Sequence, residues 1–402
     1  MIRLPTLASA LLFSAAAALA ADQPGQKFDI QFKDLPKPFA TPAVANNSVV
    51  IPRPEGAVPQ VPAGFKVEVY AGGLTNPRWM AVAPNGDVFL AELQPGRITL
   101  LHDEGGKVTA TTWAEGFKTP HGLLLTKDAL YVGDLEAVWR IPYVPGQKAG
   151  TREKVTKARD LSPNGYHVTR DLAMDSKGTI YVAIGSSNNV GPDAPTRASV
   201  QTIGGDGTLH DFATGLRNPV GIAFYPGTDD LFVTVNERDG YGDALVPDYL
   251  THVQPGGFYG WPYAFLGPHP DPDWGAKRPD MVAKALPPDL LFHAHSAPLG
   301  LVFYEGVQFP ASYKGDAFVA LHGSWNSGAP TGYKVVRVPF RNGRPAGGYE
   351  NFMTGFWNGA DKPGSPARVW GRPAGLAVAK DGSLLVADDA GKVVWRVRYA
   401  GK

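Results

Sequence analysis

The sequence predicts an all-β fold, a six-bladed β-propeller, and two observations carry the prediction. The first is a phrase that returns six times: a small residue or Arg, then Pro or Asp, an apolar strand, a turn bearing Gly or Asp, and a second apolar strand. Its copies run over 76–92, 119–134, 170–186, 218–237, 297–324 and 372–389. Met80-Ala81-Val82-Ala83-Pro84-Asn85-Gly86-Asp87 and Leu376-Ala377-Val378-Ala379-Lys380-Asp381-Gly382-Ser383 show the likeness between the first and last. Asn-Gly and Asp-Gly supply the positive φ that a tight strand reversal needs. The second observation is composition: 48 glycines and 37 prolines in 402 residues suit a turn-rich β fold and argue against a helical one. A repeated unit that cannot bury both its faces stacks on its own copies. Units of four strands that close radially make a propeller, with an axis where chemistry can be placed.

Taken in order, residues 1–20 read as a secretory signal peptide. Arg3 gives a basic start, Leu7 to Leu19 an apolar core, and Ala18-Leu19-Ala20 a small-x-small cleavage site. The apolar stretch is shorter than a bilayer span, and no later segment is apolar enough to cross. The expectation is a periplasmic or secreted protein with no membrane span after signal removal. Residues 21–61 form a Pro-rich N-terminal arm that either packs outside the ring or stays mobile. Residues 62–402 are assigned to the propeller. Phe65 to Tyr70 alternates cleanly as its first strand. Equivalent strands of successive blades are expected to start at Met80, Gly122, Leu172, Gly221, Gly300 and Gly375. The second hairpins are read at 97–100, 138–141, 333–338 and 393–397. The extra lengths 239–295 and 308–370 are expected as loops on one face, a usual place for a binding site. How the ring closes is open at this level; the strand at 65–70 is one candidate to complete the blade of 376–397.

A net charge of +1 gives no electrostatic case for nucleic acid or an acidic membrane as partner. The absence of cysteine excludes disulfides, thiolate metal sites and covalently attached c-type haem.

The copies differ in the residues that carry chemistry. The third reads Tyr166-His167-Val168-Thr169-Arg170-Asp171-Leu172. The fourth reads Gly215-Leu216-Arg217-Asn218-Pro219-Val220-Gly221, followed by Asn236-Glu237-Arg238-Asp239-Gly240 and Gly257-Phe258-Tyr259-Gly260-Trp261-Pro262. In the sixth, Arg368 and Arg372 flank Val369-Trp370-Gly371. Taken alone, each has a plain reading. His167 is a turn histidine, Arg217-Asn218 a turn entry, 237–243 a solvated acidic loop without EF-hand spacing, and the two arginines surface charges. His293 and His295, at i and i+2 on a strand, share a face as a metal pair would, but no third ligand accompanies them.

Together these strings resemble the soluble sugar dehydrogenases that use pyrroloquinoline quinone, the glucose/sorbosone dehydrogenase family. GLRNPVGIAF with its acidic loop and GGFYGWP is the most specific part, and HxxRDL the next. ALHGSWN with PTGYKVVRVPF points to the sorbosone dehydrogenase branch. The resemblance spans about residues 64–399 and implies the same six-bladed fold. It implies that His167 is the catalytic base, that Arg217 and Asn218 lie against the quinone, and that Arg368 and Arg372 bind its carboxylates. It implies Ca²⁺ held by backbone oxygen near Arg238 and Asp239. The family's cofactor-binding lysine has only His322 or Lys334 as candidates. Tyr166 stands where the family has an acid, and 120–121 where it has a glutamine.

The implied chemistry is coherent. A cofactor with three carboxylates and an o-quinone needs cations, and guanidinium forks match carboxylates. A hard Ca²⁺ takes oxygen ligands and polarises a carbonyl. A histidine of near-neutral pKa removes a hydroxyl proton as hydride leaves carbon. The expected function is therefore an exported dehydrogenase oxidising an aldose, sorbosone or related sugar. Its electrons pass to a separate acceptor such as a cytochrome or quinone. The alternatives are a Ca²⁺-dependent lactonase-type hydrolase and a non-catalytic propeller scaffold. A base facing a cation separates the first reading from the last.

Overall fold

In the computed structural model, residues 22–157, 161, 162, 164–357 and 364–401 are described. The signal-peptide assignment lies outside them. The chain forms six antiparallel sheets around one axis, each opened by one of the expected strands. These inner strands are Pro77–Val82, Gly122–Leu125, Leu172–Met174, Asn218–Phe224, Pro298–Phe303 and Pro373–Val378. Blade 6 takes its outermost strand from the other end of the chain: Phe65–Ala71 pairs with Val393–Tyr399, Val67 opposite Val397. The ring is thus closed by backbone hydrogen bonds between its two termini.

The recurrent glycine has a packing reason. A Cβ on Gly122 would lie 2.2 Å from the Arg170 carbonyl oxygen of blade 3, and one on Gly221 2.2 Å from that of Leu299 in blade 5. On Gly300 it would lie 2.4 Å from the Ala374 oxygen of blade 6, and on Gly375 2.0 Å from the Arg78 oxygen of blade 1. The inner strands approach so closely around the axis that only hydrogen fits. The two remaining junctions use side chains. Trp79 packs on His121 with tilted rings 4.0 Å apart between blades 1 and 2, and Asp171 accepts the Ile222 N–H at 3.0 Å between blades 3 and 4.

A second repeated device aims the loops above the axis. In blades 1, 2 and 6 an acid at the end of the second strand, or directly after it in blade 2, accepts an N–H from the loop entering the first strand. Glu92 takes Thr75, Asp134 takes Lys118, and Asp388 takes Arg372. The loops that carry functional side chains are tied to the sheets at that point.

The arm packs on the ring. Lys27–Phe28 pairs with Glu350 and Tyr349 as a fifth strand on blade 5. Val49–Val50 runs parallel to Arg368–Val369. The long insertion after Pro247–Val253 carries the hairpin Ala264–Phe265/His269–Pro270 and the short helix Pro279–Val282. It buries Tyr259, Trp261 and Phe265 behind blades 3 and 4.

Candidate active site

At one mouth of the axis the loops enclose a cavity of about 770 Å³. Its floor gathers side chains from the ends of inner strands: Arg78 of blade 1, His167 of blade 3, Arg217 and Asn218 of blade 4, and Arg372 of blade 6. Asp239, His295 and His322 stand around them.

His167 is fixed in one tautomer. Its Nδ1 lies 2.7 Å from the Ser186 carbonyl oxygen, which only accepts, so Nδ1 carries the proton and Nε2 offers a lone pair. Two buried guanidiniums hold its backbone: Arg170 Nη1 and Arg197 Nη1 each donate to the His167 carbonyl at 3.1 Å. Burial, with Arg217 nearby, pushes the imidazole down to about 3. The near-neutral value expected from sequence is therefore corrected: the ring is neutral throughout the physiological range.

Arg217 is clamped by every N–H it has. Nε and Nη2 donate to the carbonyl and side-chain oxygens of Asn189 at 3.0 and 2.9 Å. Nη1 donates to the carbonyls of Glu237 and Asn236 at 2.6 and 3.2 Å, and Nη2 also meets Asp239 at 3.3 Å. Arg217 thus gives the cavity a fixed charge rather than a spare donor. Asn189 is in turn held by Trp261 Nε1 at 3.0 Å, so GGFYGWP supports the site from behind. Neighbouring Asn218 lines the cavity with a buried Oδ1 that has no hydrogen-bond partner.

The opposite side is built on Asp389. Arg78 Nη1 reaches its carboxylate at 2.6 Å and His322 Nε2 at 3.0 Å; these contacts, with Arg372, hold Asp389 well below the usual carboxylate range. Burial and Arg372 press His322 down to about 4, so it is a neutral ring and not a replacement for a lysine. The charge at that corner comes from Arg78, whose buried Nε is unpartnered. Arg372 donates to the carbonyls of His322 and Gly323 at 3.1 and 3.0 Å, which turns its guanidinium to the cavity.

Two expected cofactor contacts are corrected. Arg368 is exposed on its short strand beside the arm and does not line the cavity, because the Arg368–Val369 pairing with Val49–Val50 holds it on the outer surface. Lys334 bonds Asp22 at 2.9 Å under the Phe28 ring, away from the site. The Arg238 side chain turns into the core, paired with Glu237 at 2.9 Å and Asp271 at 2.7 Å, which leaves its backbone oxygen, the kind of atom the resemblance implies for calcium. That oxygen already receives the Val246 N–H at 3.4 Å. The two insertion histidines do not share a face: His293 bonds the Tyr349 hydroxyl, while His295, at φ 66°, turns toward Asp239 and Asn326.

Sequence reasoning missed Arg78, Asn189 and the rim residues Trp325 and Asn326. Arg78 had a signal, since it directly follows an Asn-Pro that repeats the Asn218-Pro219 pair.

The sequence matches the TrAA12-like family over residues 59–245 and 277–400, and the glucose/sorbosone dehydrogenase family over residues 201–324. It is 29% identical over 357 residues to an uncharacterized protein of Borreliella burgdorferi, covering 85% of this chain and 90% of that protein. It is 27% identical over 331 residues to the pyrroloquinoline quinone-dependent pyranose dehydrogenase of Coprinopsis cinerea, covering 69% of this chain but only 44% of that longer protein. The holo form of the pyranose dehydrogenase PQQ domain from Coprinopsis cinerea superposes with a TM-score of 0.69, over 86% of this chain and 98% of that one, at 23% identity. At that identity the likeness is one of fold.

Proposed function

The chain belongs to the TrAA12-like family, and from that premise we propose that it is a pyrroloquinoline quinone-dependent dehydrogenase of aldoses or related pyranose sugars. The observation that carries the reading is a neutral His167, its Nε2 free, on the same cavity floor as the guanidiniums of Arg78, Arg217 and Arg372. The donor set fits the cofactor. Arg78 and Arg372 face the cavity as carboxylate binders, the Arg78 Nε being buried without a partner, and Arg217 adds fixed positive charge beside Asn218. When bound, such a group supplies a two-electron acceptor.

His167 takes the proton of the sugar hydroxyl at Nε2 while the Ser186 carbonyl holds Nδ1–H. The imidazolium so formed is disfavoured by burial and by Arg217, so the ring returns its proton readily to solvent or buffer. Preorganised positive charge from Arg217 favours negative charge developing beside it, and costs no reorganisation because all its N–H groups are already held.

Calcium belongs to the same reading. Among the described residues, no three His, Asp or Glu side chains group as metal ligands. The ion therefore draws on backbone oxygen around Asp239, as the resemblance implies. Its carboxylate borders the cavity, and a buried Glu237 Oε1 on the same wall lacks any partner. No catalytic step is assigned to it.

The reading includes export to the periplasm or medium, from the N-terminal signal pattern, and a separate electron acceptor, since the chain has no cysteine to attach a haem. No helix among the described residues is long and apolar enough to cross a membrane. The test is calorimetric titration of the apoprotein with the quinone, with calcium and with chelator, followed by dye reduction with a sugar panel. Stoichiometric binding and reduction by at least one aldose are expected; no binding in either condition overturns the reading.

A further inference from the structure

Residues 42–45 of the N-terminal arm do something that a packing arm has no need to do: three of them line the cavity. The arm is latched at both ends of this stretch. Before it, the Phe39 N–H donates to the Tyr241 carbonyl at 2.7 Å and Thr41 Oγ1 accepts the Asp243 N–H at 2.9 Å. Thr41 comes so near that a Cβ on Gly242 would lie 2.9 Å from its oxygens. After it, the Asn46 N–H donates to the Trp325 carbonyl at 2.7 Å, and the buried Asn46 Nδ2 donates to the carbonyls of Ser327 at 2.9 Å and Ser365 at 3.3 Å. The two latched loops are themselves joined, Gly328 N–H to Asp243 Oδ1 at 2.7 Å. Pro42-Ala43-Val44-Ala45 therefore runs along the blade 4–blade 5 side of the mouth as a fixed strap.

The strap's chemistry is opposite to the floor's. Below are guanidiniums, imidazoles and carboxylates; at the rim are Ala43, Val44, Ala45 and the half-exposed ring of Trp325. A sugar ring has hydroxyls on its edge and C–H bonds on its faces. A polar floor beneath an apolar wall holds one such ring by both. Small side chains on the strap leave room for that ring, and its tied backbone bounds the mouth on this side.

We propose that the strap 42–45 sets substrate size: it forms the wall that admits a single sugar ring to His167 and excludes a saccharide extended toward blades 4 and 5. This rests on the dehydrogenase reading above. Three forms of the protein test it: Ala45→Phe, which thickens the wall; Thr41→Ala/Asn46→Ala, which removes its side-chain latches; and deletion of 22–47, which removes them all. Each is titrated with the quinone and then assayed for kcat/KM with glucose, maltose and maltotriose. The ratio of maltotriose to glucose rises about tenfold in the unlatched or deleted protein. Ala45→Phe raises KM for glucose about tenfold with kcat little changed. Quinone affinity stays as in the natural protein. Should the deletion fail to fold, Ala45→Phe alone decides, because its side chain is added at an exposed position with both latches intact. Normal quinone loading with an unchanged ratio and an unchanged glucose KM overturns the strap. Natural protein that binds no quinone overturns the reading beneath it.

Discussion

His167 Nδ1 meets the carbonyl oxygen of Ser186 at 2.7 Å, and this one contact decides which nitrogen of the ring faces the cavity. Ser186 ends the third copy of the repeat, two residues beyond the strand Ile180–Ile184. The fold's own periodicity therefore places the acceptor that orients the His167 ring. Arg170 and Arg197 complete the fixture by holding the backbone of the same residue.

The ring's ionisation follows. Burial and Arg217 lower His167 to about 3, and burial with Arg372 lowers His322 to about 4. A base is competent when neutral, and a lowered pKa keeps it neutral at every pH above that value. Long-range ¹H–¹⁵N spectra of the apoprotein should show His167 and His322 unchanged from pH 8 to 5, with His167 as the Nδ1–H tautomer. The exposed His102, raised by its hydrogen bond to Asp87, should titrate. A His167 signal that titrates near 6.5 would contradict the burial argument.

Cofactor affinity should separate the arginines. Arg78→Ala and Arg372→Ala each remove a charged donor facing the cavity, and quinone binding should weaken about 10- to 100-fold in calorimetry. Arg368→Ala should stay within about twofold, because that side chain lies outside the cavity. Equal losses at Arg368 and Arg372 would mean that the mouth has been misassigned.

Ring closure makes a stability prediction. A methyl group at Gly375 would stand 2.0 Å from the Arg78 carbonyl oxygen, with backbone rather than a movable side chain as the obstacle. Gly375→Ala should cost about 2–3 kcal/mol in urea denaturation. Gly347→Ala is the space control, since nothing lies within 4 Å of its Cβ position, although its φ of +86° adds a smaller backbone cost. A Gly375→Ala protein as stable as the control would undercut the close-approach account of the motif.

Much of this was legible in sequence, for physical reasons. The inner strands repeat because each blade meets its neighbour in the same way, so Gly122, Gly221, Gly300 and Gly375 recur in register. His167, Arg217, Asn218, Asp239, His322 and Arg372 reach one cavity because they sit at equivalent ends of that repeat. What escaped depends on contacts between distant segments. Arg368 and Arg372 are four residues apart, yet only the arm's pairing with Arg368–Val369 decides that the first turns outward. Arg78 gains its place through Asp389, 311 residues away. The low pKa of His167 is a consequence of burial, which no local string encodes.

The central claim is that His167 is the base acting at this cavity. Its most direct test is anaerobic stopped-flow mixing of quinone-loaded natural protein and His167→Gln with glucose, following quinone absorbance. The account predicts equal quinone loading and a reduction step slower by about 10²–10⁴-fold in the variant. An undiminished rate in fully loaded His167→Gln would contradict it.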